Sequence, residues 1–219
     1  MNDFQNTFVE LALSRAALRF GQFTLKGGRE SPYFFNAGLL SDGEAIAELG
    51  RCYAAALVQA DLPFDMLFGP AYKGIPLATA TAIALADHHG RRVPYAFDRK
   101  ETKQHGEGGA LVGSPLAGRV VIVDDVISDG GAKRAAIDLI RGAGAEPVGV
   151  LLALDREERG ATDRSAVEEL QERYGVRCVS IITLAQLIET LASPTAGRAR
   201  ISAEQLTSLR RYRERYGAG

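Results

Sequence analysis

One segment concentrates the residues able to do chemistry: Val120-Val121-Ile122-Val123-Asp124-Asp125-Val126-Ile127-Ser128-Asp129-Gly130-Gly131-Ala132. Four β-branched residues in a row read as a strand buried on both faces, and the strand ends in two adjacent carboxylates. A glycine-bearing turn into a helix follows, where backbone N–H groups and the helix dipole suit a phosphate, and glycine lets the backbone approach it closely. Two neighbouring carboxylates repel that phosphate and call for hydrogen-bond donors, either vicinal sugar hydroxyls or a hydrated cation. A phosphorylated sugar satisfies both halves of the segment. The same residues would also build an ordinary strand–turn–helix with aspartates as helix caps. There is no Gly-x-x-x-x-Gly-Lys-Ser/Thr loop and no dinucleotide-binding fingerprint.

Three other places offer matching chemistry. Residues 98–113 break all periodicity and carry Arg99, Lys100, Lys103 and His105 among glycines 106, 108, 109 and 113, a cationic loop able to close over a polyanion. Ala71-Tyr72-Lys73-Gly74 lies just past another short apolar run, where backbone donors and Lys73 can meet a second anionic group. Arg156 also follows a strand pattern, and a guanidinium there can hold a carboxylate in two-pronged fashion. Phe34 and Phe35 sit beside Lys26 in an aromatic hairpin pattern and by themselves read first as core residues, although such a flap can also cover a planar ring.

The elements that must position these groups alternate. Helical spacing covers residues 3–20, two short aromatic runs (23–25 and 33–36) flank Gly27-Gly28 as a hairpin, and Ser41-Asp42-Gly43-Glu44 caps a helix to residue 60. Strand patterns then fall at 66–68, 93–97, 120–123, 148–154 and 176–182. Helices are expected at 74–89, 132–141, after Ser165, after Thr183 and at 202–216. Strands separated by single helices predict an α/β, doubly wound, mainly parallel sheet flanked by helices. In such sheets ligands bind beyond the carboxyl ends of the strands, which narrows the chemistry to the loops after residues 68, 97, 123 and 154.

Composition excludes several classes. Of 219 residues 46% are hydrophobic and 24% charged, ordinary for a folded domain, and 26 basic against 27 acidic side chains leave a net charge of −1, with no excess to hold a nucleic-acid backbone. Cys52 and Cys178 lie too far from other ligands for a zinc motif and read as small apolar core residues. The start of the chain lacks a secretory pattern, and the apolar stretch 75–86 is too short to span a bilayer. The expectation is a cytoplasmic protein with neither membrane nor nucleic acid as partner. His88-His89 reads as a helix end without a catalytic role, and 198–215 as a solvated charged face.

Val123-Asp124-Asp125-Val126-Ile127-Ser128 resembles the 5-phosphoribosyl 1-diphosphate (PRPP) motif of the type I phosphoribosyltransferases. Residues 23–36, 68–76, 99–109 and 154–160 extend the likeness over nearly the whole chain and narrow it to the orotate phosphoribosyltransferase family. The resemblance implies the type I phosphoribosyltransferase fold as one domain over residues 1–219, with residues 1–40 supplying an N-terminal helix and a small hood. It implies transfer of ribose 5-phosphate from PRPP to orotate, forming orotidine 5′-monophosphate and diphosphate. PRPP contacts are expected from Lys26, Tyr72, Lys73, Arg99, Lys100, Lys103, His105, Asp124, Asp125, Val126, Ile127, Ser128, Asp129, Gly130, Gly131 and Ala132. Orotate contacts are expected from Lys26, Phe34, Phe35, Ser128 and Arg156, and catalysis from Lys103, Asp124, Asp125 and His105.

Mg²⁺ is the implied cofactor, held mainly by substrate and water, with no direct protein ligand. A homodimer is implied, with loop residues serving the partner subunit's site, and so is a non-proline cis peptide at Ala71–Tyr72. The chain departs from the family where Ser128-Asp129-Gly130-Gly131 replaces the usual Thr-Ala-Gly-Thr, losing a hydroxyl at Gly131 and adding a charge at Asp129. Gly27 replaces a usual serine. Two rival functions are a purine-base phosphoribosyltransferase and a non-catalytic PRPP sensor; the retained cationic loop and the lack of basic excess count against the sensor.

Overall fold

In the computed structural model, residues 2–25, 27–103, 109–127, 131–160, 162–193 and 200–218 are described, with 100–103, 109 and 132 described in backbone only. Helix α1 (Asp3–Ser14) leads into strands β1 (Leu18–Thr24) and β2 (Glu30–Phe35), which pair antiparallel as a separate two-stranded sheet. Helix α2 (Gly43–Gln59), strand β3 (Met66–Gly69), helix α3 (Gly74–His89), strands β4 (Tyr95–Lys103), β5 (Gly109–Gly113) and β6 (Arg119–Asp124) follow. Helix α4 (Gly131–Gly142), strand β7 (Glu146–Asp155), helix α5 (Ala166–Tyr174), strand β8 (Arg177–Thr183) and helices α6 (Leu184–Ala192) and α7 (Ala203–Tyr216) complete the described elements.

The main sheet has the order β5-β4-β3-β6-β7-β8, with only the β4–β5 pairing antiparallel. Strand β6 is central and shows why its sequence is unbroken in apolar residues. Val121 and Val123 face one core with α2, α3 and α6, while Val120 and Ile122 face a second core with Ile137 and Ile140 of α4 and Leu170 of α5. Side chains alternate along a strand, so helices on both faces demand apolar residues at every position. The expected doubly wound arrangement is what the chain adopts.

Local signals set most boundaries. Ser165 and Thr183 form reciprocal capping boxes with Glu168 and Gln186, and α3 ends where Gly90 takes the left-handed conformation. Three boundaries differ from expectation. The first helix stops at Ser14 rather than residue 20, because Leu18, Arg19 and Phe20 pair with Phe35, Phe34 and Tyr33. The cap of α2 is Asp42, whose side chain accepts from Ala45 N, rather than a box begun at Ser41. Residues 98–113 are not one irregular loop: β4 runs on to Lys103 and pairs with β5 through Asp98–Leu111 and Lys103–Gly109. Beyond Phe97 the sequence is mostly charged and glycine-rich, so no alternating apolar pattern marks the strands. Cys52 and Cys178 are free thiols at buried and half-buried positions, and burial pushes both up to about 12.

Candidate active site

The carboxyl end of β6 presents Asp124 and Asp125, only 8% and 6% exposed. Every carboxylate oxygen of the two has a partner. Asp124 accepts from Asp125 N through Oδ1 at 2.9 Å and pairs with Lys133 Nζ through Oδ2 at 2.6 Å. Asp125 accepts from Val126 N through Oδ1 at 2.9 Å and from Lys73 Nζ through Oδ2 at 2.7 Å. The backbone is clamped as well: Tyr53 of α2 donates its hydroxyl to Asp124 O at 2.8 Å, and Ala153 N of β7 donates to Asp125 O at 2.9 Å. Burial pushes the Asp124 carboxyl above its ordinary value, with Lys133 pulling the other way.

Lys133 was not singled out from the sequence. It stands in the first turn of α4, where a cation opposes the helix dipole, yet it is 5% exposed and also donates to Val126 O at 2.5 Å. The signal that could have found it is spacing: position 133 shares a helix face with the buried Ala136, Ile137 and Ile140. An ammonium on that face requires a buried acceptor, and Asp124 is it.

Between β3 and α3 the chain turns through Pro70, Ala71, Tyr72 and Lys73, and the Ala71–Tyr72 peptide is cis, as expected. Gly69 and Gly74 allow the turn to sit against the end of β6: a Cβ on Gly74 would lie 2.6 Å from Pro70 Cδ and 2.8 Å from Val123 O. Asp98 Oδ1 accepts from Ala71 N at 2.6 Å, tying the turn to β4. Tyr72 is exposed, and the Lys73 side chain extends along this turn to Asp125. The structure therefore brings Lys73 and the two aspartates together.

Arg99, Lys100 and Lys103 lie along β4, where it leaves the sheet as a ribbon with β5. Lys26, His105, Ser128, Asp129 and Gly130, expected in the site, lie outside the described residues. Val126 is half-buried, the Ile127 side chain belongs to the second core, and Gly131 with Ala132 opens α4. Ile127 can therefore offer a ligand only its backbone.

Strand β2 separates its two aromatics. Adjacent strand residues point to opposite faces: Phe35 is buried against Phe8 at 5.7 Å between ring centroids, whereas Phe34 stacks on Phe23 at 5.6 Å with the Arg19 guanidinium over both rings. A planar ring on this strand can therefore meet the Phe34 side chain but only the backbone of Phe35.

Arg156, the first residue after β7, lies against β2 with its side chain 11% exposed. Its Nε donates to Glu158 Oε1 at 2.7 Å, its Nη2 contacts Ser31 Oγ at 3.2 Å and Tyr212 Oη at 3.4 Å, and its guanidinium lies 4.2 Å from the Tyr33 ring centroid. Sequence reasoning found Arg156 but neither Glu158 nor Tyr212. No group of three or more His, Cys, Asp or Glu able to hold a metal occurs among the described residues. None of their helices is long and apolar enough to cross a membrane.

Residues 37–174 match the phosphoribosyl transferase domain family. The chain is 56% identical over 217 residues to the orotate phosphoribosyltransferase of Klebsiella pneumoniae (strain 342), covering 99% of this chain and 100% of that protein. It is 54% identical, with the same coverage, to orotate phosphoribosyltransferases of Pseudomonas putida. Among solved structures, the orotate phosphoribosyltransferase of Francisella tularensis superposes with a TM-score of 0.84 at 35% identity, over 96% of this chain and 98% of that one. The Mycobacterium tuberculosis orotate phosphoribosyltransferase in complex with PRPP superposes with a TM-score of 0.61 at 26% identity, over 84% and 98% of the two chains.

Proposed function

This chain belongs to the phosphoribosyltransferase family, among the orotate phosphoribosyltransferases, and from that premise we propose how its residues divide the work. The reaction moves ribose 5-phosphate from PRPP to orotate, giving orotidine 5′-monophosphate and diphosphate in de novo UMP biosynthesis. As the C1–diphosphate bond breaks, positive charge builds on the ribose and negative charge on the departing diphosphate. Orotate brings its own ring nitrogen as nucleophile, so the protein's tasks are alignment and charge stabilisation.

The observation that carries the reading is the pair of buried carboxylates at the end of β6, faced by Lys73 from the neighbouring turn. Asp124 and Asp125 grip the ribose hydroxyls and favour the developing cation. Lys73, on a flexible and half-exposed side chain, turns from Asp125 to the diphosphate, beside Tyr72. Arg99, Lys100, Lys103 and His105 take the leaving charge, Lys103 with the largest effect. Residues 126–132 wrap the 5-phosphate with backbone donors at the start of α4. Lys26, Phe34, Phe35, Ser128 and Arg156 hold orotate, with Arg156 opposite its carboxylate.

Mg²⁺ is held by substrate oxygens and water, a reading supported by the lack of any group of three or more His, Cys, Asp or Glu able to cage a cation among the described residues. When bound, the ion supplies neutralisation of the diphosphate charge. The working form is a cytoplasmic homodimer in which ribbon residues serve the partner subunit's site. Residues 1–219 act as one catalytic domain, with residues 1–40 as its hood. The test is incubation with PRPP, Mg²⁺ and either orotate or hypoxanthine. Orotate should be consumed and hypoxanthine left intact; the opposite result refutes the assignment.

A further inference from the structure

The Glu158 carboxylate collects three donors from three parts of the chain. Its Oε1 takes Arg156 Nε at 2.7 Å and the Tyr212 hydroxyl at 2.6 Å, and its Oε2 takes Arg29 Nη1 at 3.1 Å. The first comes from the turn after β7, the second from α7 and the third from the approach to β2. Glu158 is itself largely buried, so these are charge-assisted bonds shielded from water.

The backbone around it is equally constrained. Glu157 adopts a left-handed φ of 49°, which turns the chain back so that Arg156 and Glu158 meet. Arg159 N donates to Tyr216 O at 2.9 Å and Ala218 N donates to Glu157 O at 2.7 Å, stitching the turn to the end of α7. Arg29 also donates through Nη2 to Arg159 O at 3.1 Å.

The effect on Arg156 is geometric. Its guanidinium is sandwiched over the Tyr33 ring, with Nε and Nη2 committed to Glu158, Ser31 and Tyr212. Among the described residues Nη1 has no hydrogen-bond partner, so it is the donor left for a ligand. A long side chain held on one edge presents the other edge without further ordering cost, which is how a preorganised contact gains affinity.

We propose that Glu158, steadied by Tyr212 of α7, is the positioning residue that aims Arg156 at the orotate carboxylate. The inference rests on the reading of Arg156 as an orotate ligand. It assigns to the C-terminal helix a share in selecting the acceptor.

Steady-state kinetics with both substrates varied tests it on wild type, Glu158→Ala, Glu158→Gln, Tyr212→Phe and Arg156→Ala, each checked for a native melting transition. Glu158→Ala should raise KM for orotate by about tenfold or more, the scale of a lost hydrogen bond to a charged group, while KM for PRPP moves less than about twofold. Glu158→Gln and Tyr212→Phe keep shape and packing, so they remain informative if the alanine variant does not fold; each should show the same split at smaller size. An unchanged orotate KM in the Glu158 and Tyr212 variants, with a large rise in Arg156→Ala, overturns the positioning role and leaves the Arg156 reading intact. Equal rises for both substrates overturn it in favour of a general structural effect. An unchanged orotate KM in Arg156→Ala overturns the underlying reading as well.

Discussion

Replacing Lys133 with Met keeps the volume of the side chain and removes its charge, leaving Asp124 ionised and unpaired in a site only 8% exposed. Breaking a buried pair from one side costs about 3–5 kcal/mol, because an uncompensated charge remains. Against a total stability of roughly 5–15 kcal/mol that is a large fraction. For a chain of this size each kcal/mol lowers Tm by about 2–4 °C, so the loss should be roughly 6–20 °C.

The pH dependence carries a definite sign. Burial already raises the Asp124 carboxyl above its ordinary value, and Lys133 opposes that rise. Without Lys133 the folded-state value climbs further. A raised carboxyl costs nothing below its unfolded value of about 3.9, and the penalty grows as pH rises through the folded value. The stability gap between variant and wild type should thus be widest near neutrality and narrow toward pH 4. Wild type contributes to the narrowing, since protonating Asp124 leaves its own buried ammonium unpaired. Urea denaturation between pH 4.5 and 8, with unchanged m-values, reads this directly. Adding Asp124→Asn to Lys133→Met should recover most of the loss. A deficit below about 1 kcal/mol at pH 7, or one that stays constant across the series, refutes the argument.

Three other outcomes follow from the geometry. Lys103→Ala should lower kcat by roughly 10²- to 10³-fold if it stabilises the departing diphosphate, and near-normal turnover rejects that role. Gly74→Ala places a methyl 2.6 Å from Pro70 Cδ and 2.8 Å from Val123 O; it should destabilise by about 1–3 kcal/mol in chemical denaturation and weaken PRPP binding measured by calorimetry. The Tyr33 hydroxyl is buried with no hydrogen-bond partner among the described residues, so Tyr33→Phe should leave the melting temperature unchanged or raise it, and a drop of several degrees contradicts that account.

What was legible in the sequence is what local periodicity controls. The four-residue β-branched run of β6, the capping boxes at Ser165 and Thr183 and the glycine stop at Gly90 each leave a signature within a few residues of their effect. Asp124, Asp125 and Lys73 could be located because strand ends and short turns place them. The β4–β5 ribbon escaped because its charged, glycine-rich sequence carries no alternating apolar pattern. Phe34 and Phe35 could be assigned to opposite sides only once β2 had a register. The Arg156 cluster was invisible for a different reason: its contacts to Ser31 and Tyr212 span 125 and 56 residues, and no local pattern encodes such a meeting.

That cluster also bears on how the protein comes to be made. Strand β2, the turn after β7 and the end of α7 interlock through Glu158, Arg29 and Tyr216. During translation the β1–β2 sheet emerges early, but its clasp waits on residues beyond 210. Strands β3, β4, β6 and β7 all precede that point in the chain, so the clasp closes only once α7 is there to dock.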